Sequence, residues 1–125
     1  MTLTTFDYEA AATDFYRELD ANDEGVFQRR LAPDAVFVFN DVEPVVGNDA
    51  IGRFIGEWKS NFKALTHEIH QITVDPLKRT AGVEVTVTYA FPDGRVVNLL
   101  GCSFLDFTND RITGYRVYVD TSRLS

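Results

Sequence analysis

The feature that most constrains this chain is a change of hydrophobic period at Leu65. From there to Val119 apolar and polar residues alternate two by two, broken only by three short turn clusters: Asp75-Pro76-Leu77-Lys78, Pro92-Asp93-Gly94-Arg95 and Thr108-Asn109-Asp110-Arg111. Alternation of that kind belongs to strands, and Pro, Asp, Asn and Gly in short clusters belong to turns. The spacing predicts strands near 65–74, 81–91, 95–107 and 111–119. Successive strands on short turns most simply form an antiparallel meander. Strands of ten residues twist enough to curl.

Before Leu65 the period is helical. Tyr8, Ala12, Phe15 and Leu19 recur on one face of a first helix, which Asn22-Asp23-Glu24-Gly25 breaks. A shorter helix follows, with Val26, Phe27 and Leu31 inward, ending before Pro33. Ala35–Asn40 reads as a strand. The clearest helix opens after Gly47 with Asn48 as its N-cap. Ile51, Phe54, Ile55, Trp58 and Phe62 then form one apolar face. The fold class is therefore α+β: a cone-shaped, curled antiparallel sheet packed against three helices from the N-terminal half, with an apolar pocket between the layers.

No linker, repeat or low-complexity segment divides the sequence, so residues 1–125 are expected to form one domain. A domain of this length buries roughly two-thirds of its unfolded surface and needs no disulfide or metal staple. Apolar residues make up 45% of the chain and ten are Phe, a surplus with two outlets, a lined pocket or a dimer face. The net charge of −7, with basic residues scattered apart from Arg29-Arg30 and Lys78-Arg79, opposes binding to nucleic acid and to anionic membranes. The opening Met1–Asp7 has neither a charged region nor an apolar one, and no apolar run reaches membrane-span length, so a cytoplasmic location is the expectation.

The residues that carry a family resemblance lie along nearly the whole chain. They are Phe15-Tyr16 through Asp23, Ala32-Pro33-Asp34-Ala35-Val36-Phe37, Gly47-Asn48-Asp49-Ala50-Ile51, His67-Glu68-Ile69-His70, Pro92-Asp93-Gly94-Arg95 and Asp110 to Asp120. In order and spacing the chain resembles the SnoaL-like branch of the nuclear-transport-factor-two-like superfamily. The resemblance implies the cone fold, a homodimer and one of several cofactor-free reactions. Carried over position by position, the catalytic residues are missing. The acid–base set of limonene epoxide hydrolase falls on Glu84, Thr86 and Val117, and its water-holding pair on Phe37 and Phe39. The base of ketosteroid isomerase falls near Phe39 or Asn40, its oxyanion-hole Tyr on Phe15 (Tyr16 adjacent) and its neutral Asp on Cys102. The final-strand Asp of SnoaL-type cyclases falls near Val117.

Glu84 is the candidate catalytic group that remains. It shares one strand face with Thr86 and Thr88, while Val83, Val85, Val87 and Tyr89 share the other. The resemblance turns the Glu84 face into the pocket, where desolvation would raise the carboxyl pKa, and turns the Val face into a dimer. Periodicity alone gives the opposite: the Val face packs inward and Glu84 meets water. His67 is the candidate proton partner. His67 and His70, three apart on a strand, face opposite ways and cannot share a metal ion.

Phe37, Phe39, Trp58, Thr86, Asn98, Tyr115 and Val117 are the candidate ligand-binding residues, with Asn98 and Tyr115 as hydrogen-bond donors. Arg116 and Asp120 read as a structural pair, and Cys102 as a buried small hydrophobe. No phosphate loop or nucleophile elbow is present, so the expected chemistry uses no cofactor. Two functions compete: proton transfer on a small apolar substrate (isomerisation, dehydration or cyclisation), or passive binding of a small hydrophobic ligand. A purely structural homodimer is a third.

Overall fold

The computed structural model describes residues 6–125; the reading of Met1–Thr5 lies outside the described residues. Elements run α1 (Tyr8–Asp20), α2 (Val26–Arg30), β1 (Leu31–Phe39), β2 (Val45–Val46), α3 (Asn48–Lys59), β3 (Ala64–Asp75), β4 (Thr80–Ala90), β5 (Val96–Thr108) and β6 (Arg111–Val119), with a closing 3-10 turn at Thr121–Leu124.

The six strands form one curled, unclosed sheet in the order β2-β1-β6-β5-β4-β3. β3 to β6 are the expected antiparallel meander. The sheet as a whole is mixed, because β1 lies parallel to β6, with Phe37 opposite Tyr115 and Phe39 opposite Val117. That parallel pair needs a long crossover, which α3 and the meander supply. It also brings the aromatic run of β1 beside the closing strand.

The second helix is shorter than the spacing predicts. Leu31 is buried, but as the first residue of β1. Pro33 sits where the β1–β6 register shifts, between Leu31 and Val36, which is where a residue lacking an N–H is tolerated. At α3 the N-cap is Gly47 rather than Asn48. Its φ of 98° is open to glycine and costly for a side chain.

Helices α1 and α3 cover the concave face of the sheet. Ala12, Phe15, Tyr16 and Leu19 of α1 and Ile51 and Ile55 of α3 are buried, with Phe54, Trp58 and Phe62 packed against them. They meet Val83, Val85, Val87 and Tyr89 of β4, all buried. This settles the orientation of β4: its Val face is the core, so it cannot be the dimer face. The apolar side chains on the outer face include Leu100, Phe104 and Tyr118.

Candidate active site

A small apolar chamber of about 50 Å³ lies between α1, α3 and the concave sheet. Phe37 and Phe39 enter it from β1, Phe54 and Trp58 from α3, and Tyr115 and Val117 from β6. The aromatic rings pack at tilted angles, with centroids 5.1 Å apart for Phe37–Tyr115 and 5.5 Å for Phe39–Trp58. The helical i, i+4 spacing of Phe54 and Trp58 puts both on one face. The period of two puts Phe37 with Phe39, and Tyr115 with Val117.

The imidazole on this wall comes from β3 and is backed by a carboxylate of α1. His67 lines the chamber, and its Nδ1 lies 2.7 Å from Asp20 Oδ1. The His67 backbone N–H donates to the second carboxylate oxygen, Oδ2, also at 2.7 Å. Asp20 is thereby held by both the ring and the backbone of one residue, so the ring has one orientation. The Tyr16 ring packs on the imidazole with centroids 4.7 Å apart. Among the described residues Nε2 has no hydrogen-bond partner, so it is the nitrogen left for a ligand.

Behind the imidazole runs a buried hydroxyl chain. Tyr115 donates to the Tyr16 hydroxyl at 3.0 Å, and the Tyr16 hydroxyl and Ser103 Oγ share a hydrogen bond of 2.6 Å. Burial pushes the Tyr16 phenol up to about 12 and the Tyr115 phenol well above its ordinary value, so both stay neutral hydroxyls at working pH. At the chamber's mouth, Lys59 Nζ donates to the carbonyl of Leu19 at 2.7 Å, and burial lowers its pKa.

Glu84, Thr86 and Asn98 are not part of this site. Glu84 is exposed on the outer face, across from Cys102 on β5. Thr86 accepts or donates at His70 Nε2, and Asn98 pairs with Thr88, both on the same outer face. The physical reason is that the Val side of β4 is the one that packs under the helices, so the period of two turns Glu84 and Thr86 away. Cys102 is half-buried on that outer face rather than buried. Arg116 pairs with Asp106, not Asp120, which instead caps the closing 3-10 turn through Ser122. His67 and His70 do face opposite ways, and among the described residues no cluster of metal-ligating side chains forms.

Two polar residues beside the chamber escape a reading of the sequence alone, Asp20 and Lys59. Asp20 did carry a signal. It stands four residues after Tyr16, on the same helical face, and an acid at a helix C-terminus is opposed by the helix dipole, so it calls for a partner. Lys59 gives no such signal, since a base in the last turn of a helix is ordinary.

Residues 12–115 match the SnoaL-like domain family. The chain belongs to that family. No curated protein matches its sequence. Among solved structures, an NTF2-like protein of unknown function from Burkholderia pseudomallei K96243 has a TM-score of 0.85 at 16% identity, covering 96% of this chain and 95% of that one. A protein from Jannaschia sp. CCS1, provisionally named a SnoaL-like polyketide cyclase, gives 0.80 at 15% identity over 98% and 94%. An LEH-like epoxide hydrolase from M. tuberculosis gives 0.78 at 19% over 91% and 83%. At these identities the likeness establishes the NTF2-like α+β cone fold of this SnoaL-like chain, while its chemistry has to be argued from its own side chains. No described helix is long and apolar enough to cross a membrane.

Proposed function

We propose that this SnoaL-like protein is a cofactor-free enzyme that moves a proton on a small, largely apolar substrate, with His67 as the general base. The observation that carries the reading is His67 in the wall of an aromatic chamber, held from behind by Asp20. A neutral imidazole has one N–H and one lone pair. Asp20 accepts from Nδ1, so the lone pair sits on Nε2 and the ring is ready to take a proton from a carbon or hydroxyl acid. As the imidazolium forms, the Asp20 carboxylate stabilises it, a division of labour that recurs wherever a carboxylate orients a catalytic histidine. The apolar walls keep water from competing for the base. Isomerisation, dehydration and cyclisation all begin with such a transfer. Glu84 has no part in it.

The homodimer belongs to the same proposal, moved to the outer face, where Leu100, Phe104 and Tyr118 are exposed together.

Nitrobenzisoxazole tests the base without knowledge of the natural substrate. The base takes its ring C–H proton, the freed electron pair completes a nitrile, the N–O bond breaks, and a coloured phenolate is released. The protein is expected to accelerate this opening over buffer of the same pH. His67→Ala is expected to remove a factor of about a hundred or more, the usual contribution of a positioned base. Glu84→Gln is expected to leave the rate unchanged. A His67→Ala rate equal to that of the unsubstituted protein refutes the assignment and favours a passive binding module.

A further inference from the structure

The inner chamber is too small to hold a substrate by itself: about 50 Å³ is room for a few waters. Outside it lies an open groove of about 710 Å³ between the α1–α2 turn, α3 and the start of β3, which is the size of ordinary small-molecule sites. Groove and chamber share Leu19, Ile55, Lys59 and Leu65 as walls. A ligand reacting at His67 therefore lays its body in the groove and sends one end inward, past Lys59.

The charges along that path are unequal in what they have left to bind. Asp20 is taken by His67, Asp23 by Arg29, and Asp49 accepts from Gln28. Among the described residues Arg53, Lys59 and Lys63 form no ion pair, and the groove acids in the same condition are Glu24 and Asp49, both exposed, the second hydrogen-bonded by Gln28. Lys59 is the most telling of these. Its ammonium is half-buried at the junction, has three N–H donors, and spends one on the Leu19 carbonyl. No carboxylate contacts it directly, and burial lowers its pKa even though the charge of nearby Asp20 acts in the opposite sense. An anion placed there would restore what desolvation took away, whereas a cationic ligand would be repelled.

We propose that the groove and chamber take an amphipathic organic monoanion, its body along the groove, one apolar end against Phe39 and Trp58 and its anionic group on Lys59 Nζ. The inference rests on the reading of this cavity as the ligand site and adds the chemical class of the ligand. Lys59 acts as a binding and specificity residue.

Two fluorescent probes with the same rings separate the claims: anilinonaphthalene sulfonate, which is an anion, and phenylnaphthylamine, which is neutral. Each is titrated into the unsubstituted protein and into Lys59→Gln, Lys59→Met, Lys59→Arg and Phe39→Ala. Lys59→Gln can keep a donor for the Leu19 carbonyl, so it guards against a Lys59→Met that is merely unstable. The sulfonate is expected to lose about tenfold or more in affinity with Gln or Met, equivalent to about 1.4 kcal/mol, and to recover most of it with Arg. The amine is expected to bind all three Lys59 variants alike, which a purely structural role for Lys59 would not produce. Phe39→Ala should weaken both probes. Sulfonate affinity that ignores Lys59 while both probes respond to Phe39→Ala overturns the anion inference and leaves the pocket intact. If neither probe binds, or neither responds to Phe39→Ala, the pocket reading falls with it.

Discussion

Replacing Tyr16 by Phe removes one oxygen and strands two hydroxyls. Tyr16, Ser103 and Tyr115 are 3%, 1% and 3% exposed, so water cannot take over from a lost partner. The Tyr16 hydroxyl is the middle of the chain. Among the described residues it is the sole hydrogen-bond partner of the Tyr115 hydroxyl and of Ser103 Oγ. Leaving a buried polar group unpaired costs about 1–3 kcal/mol, partly offset here because Phe is cheaper to bury than Tyr, so Tyr16→Phe should destabilise by about 2–4 kcal/mol. Ser103→Ala and Tyr115→Phe each remove an end of the chain and leave Tyr16 one partner, for about 0.5–1.5 kcal/mol apiece. Because Ser103 no longer needs a partner once it is Ala, the double variant Tyr16→Phe/Ser103→Ala should cost about 1 kcal/mol less than the sum of its parts. Urea unfolding followed by circular dichroism measures all four. In a domain of this size each kcal/mol corresponds to about 3–5 °C in Tm. If Tyr16→Phe costs no more than either end, or if the double variant is additive, the hydroxyls are not coupled as drawn.

Other consequences are simpler to state. Glu84→Gln should change stability by less than about 0.5 kcal/mol, since the carboxylate is exposed and unpaired among the described residues, and unfolding in urea checks this. Glu18, hydrogen-bonded by Arg30 and Arg29, is held at about 2 against an ordinary 4.5. Its folded value is depressed, so its contribution is complete above pH 4.5 and lost as pH falls toward 2. Unfolding titrations across that window should show a loss that Glu18→Gln flattens and that high salt reduces, the site being partly open to solvent. If the outer face carries the homodimer, Leu100→Arg should shift sedimentation equilibrium at micromolar protein toward monomer while leaving far-ultraviolet circular dichroism unchanged. An unchanged molecular mass would dispose of that interface.

The fold was legible because the signals for it are local and repeated. The switch from helical spacing to alternation at Leu65 marks the layers. The three turn clusters mark the meander, and Ile51, Ile55 and Trp58 mark the face that α3 buries. The parallel pairing of β1 with β6 was not legible, because nothing in Ala35–Phe39 says which strand edge it joins. The apolar half of the site came from the family resemblance, which put Phe37, Phe39 and Val117 at a pocket wall, and from the spacing that set Trp58 and Tyr115 beside them; all five line the chamber. The polar half did not. Alternation in β4 allowed Glu84 to face either way, and the family resemblance pointed outward-facing residues inward, whereas burying Val83, Val85 and Val87 beneath the helices left the carboxylate in water. Asp20 and His67 are 47 residues apart in sequence. Their meeting depends on how the end of α1 crosses β3, which is a property of packing and not of any one segment.

Which nitrogen of His67 carries the proton decides whether the ring can act as the base. Long-range nitrogen–proton correlation NMR on uniformly labelled protein, at a pH where the ring is neutral, reads the tautomer directly. If Asp20 holds the ring as described, Nδ1 is protonated and Nε2 is bare, the less common form in free histidine and the one a base in this chamber requires. A proton found on Nε2 would contradict the assignment of His67 as the base.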